Sequence, residues 1–91
     1  MRIVRASFAG TDQGPAQEHM LALVSDLIWA RTAPIHGLEH LRAKASDEGM
    51  DIYLFLRAAS EDAALDQAHA ILAAARAPLV RHGYQATATY R

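Results

Sequence analysis

Apolar and polar residues alternate from Ile3 to Phe8, a spacing that predicts a strand. Val4, Ala6 and Phe8 share one side of it, and Ile3, Arg5 and Ser7 share the other. After Gly10 to Pro15 the rhythm changes to threes and fours. Ala16, Met20, Leu23, Val24, Leu27 and Ile28 then line one stripe, which predicts a helix from about Pro15 to Thr32. Pro15 suits its first turn, and Pro34 disfavours helix at Ala33. Alternation returns from Met50 to Ala58, with Ile52, Leu54, Leu56 and Ala58 opposite Asp51, Tyr53, Phe55 and Arg57. Ser60 follows as an N-cap, with Glu61 and Asp62 complementing the helix dipole. Ala64, Leu65, Ala68, Ile71, Leu72 and Ala75 make a second helical stripe, which Pro78 ends or kinks. Gly83 punctuates, and Tyr84 to Tyr90 alternates last, with Tyr84, Ala86, Ala88 and Tyr90 opposite Gln85, Thr87 and Thr89.

Pro34 to Gly49 reads two ways. As a strand from Leu38 to Ala45, it turns Leu41, Ala43 and Ala45 to the core and His40, Arg42 and Lys44 away. As a helix, Leu38, Leu41 and Ala45 would form a thin stripe, and residue propensities do not oppose it. Context favours the strand, because Ser46-Asp47-Glu48-Gly49 is a good turn and the stretch from Met50 needs a partner. The order is then β-α-β-β-α-β over a single domain spanning residues 1–91. This resembles the ferredoxin-like fold, an α+β class. The resemblance implies a four-stranded antiparallel sheet ordered 4-1-3-2, with two helices on one face.

Composition narrows the chemistry. Hydrophobic residues make up 52% of the 91, which fits a packed domain, but many are alanines that bury little area. Pairing with another chain would cover apolar surface that so thin a core leaves out. There is no cysteine, so disulfides, thiol catalysis and thiolate metal sites are excluded. A net charge of −1 gives little overall attraction to nucleic acid or anionic membrane, and neither is expected as a partner. No apolar run approaches the roughly 20 residues of a membrane span, nor does Met1-Arg2-Ile3-Val4-Arg5 open a signal peptide. The expected compartment is the cytoplasm. One lysine against eight arginines, with abundant alanine, reads as the codon bias of a GC-rich bacterial genome.

If both helices cover the face holding Val4, Ala6, Phe8, Ile52, Leu54 and Leu56, the other face is open. It collects Ile3, Arg5, Ser7, His40, Arg42, Lys44, Tyr53, Phe55, Arg57, Thr87 and Thr89. Tyr53 and Phe55 would lie centrally, rimmed by polar and basic groups, which is the anatomy of a protein interface. Their spacing also matches the base-stacking aromatics of RNA-recognition motifs. Gly49-Met50-Asp51, however, stands where those motifs begin with a basic residue, glycine and an aromatic.

Trp29 falls almost opposite the stripe of the first helix and is a second candidate anchor, unless Pro34 and Ile35 fold over it. The five histidines are 19, 36, 40, 69 and 82, and only His36 and His40 are four apart. On a strand four residues span about 13 Å, too far for one metal, so no metal or cofactor is expected. Gly10 to Pro15 lacks the Gly-Lys-Ser/Thr of a P-loop. It resembles the Asp-x-Pro-Gly turn of amino-acid-sensing ACT domains, with Gly14 and Pro15 in reversed order.

The residues point to a non-catalytic module that binds protein, its own copy included, with Tyr53, Phe55, Arg5, Arg57, Arg42 and Trp29 as contact residues. An alternative rests on dimeric α+β-barrel monooxygenases and cyclases, which resemble this order of elements. That resemblance implies a cleft on the same face for a small acidic or aromatic compound, held by His40, Tyr53, Arg5 and Arg42, with His40 a candidate general acid–base. An ACT-like module sensing a small molecule is a third expectation.

Overall fold

A computed structural model describes residues 1–12 and 14–90. The element order is β1 (Arg2–Gly10), α1 (Glu18–Arg31), a short 3₁₀ turn (Pro34–His36), β2 (Leu38–Ser46), β3 (Gly49–Leu56), α2 (Glu61–Arg81) and β4 (Tyr84–Tyr90). The four strands form one antiparallel sheet ordered β2-β3-β1-β4, so β1 and β3 are central. The expected α+β class and the strand between Leu38 and Ala45 are both present.

Alternation decides which side of the sheet is covered. Val4, Ala6 and Phe8 of β1 and Ile52, Leu54 and Leu56 of β3 are buried, each at 3% exposure or less. They join Val24 and Ile28 of α1 and Ala64, Ala68, Ile71, Leu72, Ala75 and Leu79 of α2 in one cluster. Both helices therefore pack on this face, α1 toward β2 and α2 across β4, β1 and β3. Four alanines, Ala6, Ala64, Ala68 and Ala75, are almost wholly enclosed, so the core holds little side-chain volume for its length.

Several boundaries differ from the sequence reading. Helix α1 begins at Glu18, after an extended Gln17 as its N-cap, and the Ala16 amide before it donates to the Gly49 carbonyl at 2.8 Å. Helix α2 runs through Pro78 to Arg81: the proline lies in the last turn, is buried, and forfeits a single helical donor. Ala45, expected in the core, is exposed on edge strand β2, while Ala43 packs against the core as expected.

Two glycines hold the sheet's ends. Gly37 has φ +68°, and a Cβ there would stand 2.7 Å from the Arg57 carbonyl oxygen. Its own carbonyl accepts from the Arg57 amide at 2.9 Å, which joins the start of β2 to the end of β3. Gln67 of α2 closes this corner, donating to the His36 carbonyl at 2.7 Å and the Arg57 carbonyl at 3.1 Å. Gly49 is buried with the Phe8 carbonyl where a Cβ would go, so the β2–β3 turn can press on the end of β1. Among the described residues no helix is long and apolar enough to cross a membrane.

Candidate functional site: the uncovered sheet face

The side of the sheet away from the helices is built in rows, because residues paired across antiparallel strands point the same way. The middle row runs Arg42–Tyr53–Arg5–Tyr90 across β2, β3, β1 and β4. A row on one side of it runs His40–Phe55–Ile3, and a row on the other runs Lys44–Asp51–Ser7–Ala88. The structure thus brings Arg5, His40, Arg42, Tyr53 and Phe55 together on one surface.

Within the middle row cations and aromatics alternate. The Arg5 guanidinium carbon lies 4.3 Å from the centre of the Tyr90 ring, within the range of a cation–π contact. The Arg5 Nε is shut off from solvent and has no hydrogen-bond partner among the described residues. Arg5 is thus flanked by rings while one of its donors is unsatisfied. In the next row His40 and Phe55 hold their ring centres 5.2 Å apart at 51°. The Ser7 hydroxyl donates to Asp51 Oδ1 at 2.9 Å, which fixes the carboxylate of the third row. Tyr53 and Phe55 are half-buried, whereas Ile3 and Tyr90 are exposed at 49% and 45%.

Three sequence expectations for this face are corrected. Arg57 lies beyond the end of β3, not on the strand. Its amide donates to the Gly37 carbonyl and its carbonyl accepts from Gln67, while its side chain is exposed. Thr89 pairs with Ala6 and so lies on the helix side, and Tyr90 pairs with Arg5 on the open side. The cause is a register shift between Ser7 and Phe8, where Thr87 is the extra residue of β4. The Thr87 hydroxyl donates to the Ser7 carbonyl at 3.2 Å. A second shift leaves Glu39 as the extra residue of β2, between Leu38 on the core side and His40 on the open side. Tyr90 is the open-face residue that strict alternation missed. A bulge among Ala86, Thr87 and Ala88 leaves no mark in the sequence.

Trp29 is 43% exposed, and Ile35, its alternative cover, is itself 86% exposed. It sits on α1, in the helical layer, and is not part of the surface that carries Tyr53 and Phe55.

Two clefts lie elsewhere. One of about 450 Å³ is bounded by Gly10, Asp12, Ala16, His19, His82 and Tyr84 among others, at the end of the sheet. Gln13, within that Gly10 to Pro15 loop, lies outside the described residues. Another of about 340 Å³ lies between α2 and β4, beside Phe8, Leu72, Arg76, Leu79 and Val80. Neither is lined by Arg5, His40, Arg42 or Tyr53. Among the described residues no three His, Asp or Glu side chains converge as metal ligands. No protein-family model, curated protein or solved structure matches the chain.

Proposed function

We propose that this is a non-catalytic, ferredoxin-like protein-interaction module of the cytoplasm that pairs with a second copy of itself through the open sheet face. The ferredoxin-like assignment draws support from the sheet order β2-β3-β1-β4 with two helices packed on one side. The observation that carries the functional reading is the aromatic and apolar centre of the uncovered face. Ile3, Phe55, Tyr53 and Tyr90 lie on three adjoining strands, with basic groups of edge strand β2 at the rim. Large, stiff aromatic side chains lose little entropy on contact and anchor interfaces in this way. A core filled with alanines gives a further motive, because covering the second face adds burial that the first lacks.

A small-molecule cleft held by Arg5, His40, Arg42 and Tyr53 has less support, since the cleft of about 310 Å³ that reaches this face is lined by Ser7, Asp51 and Thr87 and by Asp47 and Glu48 of the β2–β3 turn instead. Light scattering tests the pairing. Over a concentration series from micromolar to millimolar, the mass is expected to rise to twice the 9.9 kDa of one chain. A single-chain mass at the highest concentration would remove the self-pairing.

A further inference from the structure

The two edges of the sheet are built differently. Edge strand β2 carries Glu39, His40, Arg42 and Lys44, and charges on an edge keep other strands away. Edge strand β4 holds no charged residue and no proline from Tyr84 to Tyr90. It pairs on one side only, with β1. The Gly83 carbonyl accepts from the Thr11 amide at 2.9 Å, so Gly83 turns its backbone toward β1. These directions alternate along an antiparallel strand, which turns the amides and carbonyls of Tyr84 and Ala86 outward. The Gly10 amide, opposite Tyr84, has the same phase, because it donates the other way, to Glu48. The bulge at Thr87 ends this regular stretch.

The cleft of about 340 Å³ between α2 and β4 opens on the same stretch, with Tyr84, Gln85 and Ala86 on its strand side. Ala86 pairs with Phe8, on the helix side, yet is exposed, since a methyl group fills little of the space beside α2. On the other wall Arg76 is the one cation among the lining residues. The residues three and four positions from it, Leu72, Ala73, Leu79 and Val80, are all apolar, and all line the cleft. Its own helix therefore gives the guanidinium no carboxylate at the spacing where helical ion pairs form. Val80 is 51% exposed, so apolar surface lies bare beside the edge.

We propose that β4 and α2 together take up an extended segment of another protein, which joins β4 as a fifth strand. Its backbone bonds to Tyr84 and Ala86, and its alternate side chains point to the helix side, into the cleft. One turn of α2 rises about 5.4 Å, and two residues of a strand span about 6.6 Å. Groups one helical turn apart therefore meet side chains two residues apart. The segment recognised is apolar, acidic and apolar at alternate positions, with the acid on Arg76 and the apolar groups toward Leu72 and Val80. A second copy's β4 does not suit the site, because it has no acidic residue to meet Arg76. The cleft lies on the helix side, so pairing through the open face leaves it accessible.

The probe is the heptapeptide Lys-Ile-Thr-Glu-Thr-Val-Lys with blocked ends, which sets Ile, Glu and Val on one side when extended. Titrated into the full chain, it should bind tighter than about 1 mM and slow hydrogen exchange at the Ala86 amide. The same peptide with Lys in place of Glu should bind at least about tenfold more weakly. Arg76→Glu, a change at an exposed position, should reverse that preference. N-methylation at the Glu and N-methylation at both Thr residues strike opposite edges of the peptide. One of the two should cost about tenfold and the other little, according to which edge meets β4. No binding at 1 mM, equal binding of the Glu and Lys peptides, or equal effects of the two methylations would overturn the proposal. So would equally tight binding of a peptide copying residues 84–90, which would make a second copy the occupant. Decanoate filling the cleft where the peptide does not would make it a site for small acids and overturn the added strand.

Discussion

Leu54→Ala should cost the fold about 2–5 kcal/mol, a large share of the roughly 5–15 kcal/mol that holds a domain together. Leu54 is wholly enclosed at the middle of β3, between Ile52 and Leu56 and beneath the helices. Truncation removes apolar contacts and leaves a cavity that neighbours only partly fill. The enclosed alanines Ala6, Ala64, Ala68 and Ala75 cannot extend into the gap. Thermal melting followed by circular dichroism should show a fall in Tm of more than about 10 °C, from the size scaling of small domains. A shift of only a few degrees would mean that this side of β3 is not the core.

Phe55→Asp, one position along, should leave the fold and abolish the pairing. Phe55 points to the other side of β3, where it is half-buried beside His40 and opposite Ile3. A carboxylate there would have to be desolvated at the centre of the contact, in a row that otherwise holds His40 and the apolar Ile3. The expected outcome is a dissociation constant raised by roughly 100-fold or more, read by sedimentation equilibrium. The monomer should melt within a few degrees of the wild type diluted until it is dissociated, as surface substitutions do. An unfolded Phe55→Asp chain beside a stable Leu54→Ala chain would exchange the roles of the two faces.

The faces of β1 and β3 were legible because their apolar residues alternate without interruption between central, paired strands. Val4, Ala6 and Phe8 can point only where Ile52, Leu54 and Leu56 point. The edge strands were less legible. Each contains one extra residue, Glu39 in β2 and Thr87 in β4, and a bulge reverses every side chain beyond it. In β4 the run from Ala86 to Thr89 is small or weakly polar, so neither face is marked by hydropathy. Tyr90 consequently changed sides, and with it the partner of Arg5. Arg57 was misplaced for another reason. The strand stops at Leu56 because the Arg57 amide and carbonyl go to Gly37 and Gln67, residues distant in sequence. The outward position of Trp29 followed from helical spacing, but whether a neighbour covered it depended on the path of Pro34–His36, which local spacing does not determine.

The central claim is that association covers the open face, and hydroxyl-radical footprinting at dilute and concentrated protein tests it residue by residue. Tyr53, Phe55 and Tyr90 report on the open face, and Trp29 on the helical layer. As the dimer forms, the three open-face rings should lose reactivity together while Trp29 keeps its own. Protection of Trp29 with Tyr53, Phe55 and Tyr90 unchanged would place the contact on the helices and contradict the account.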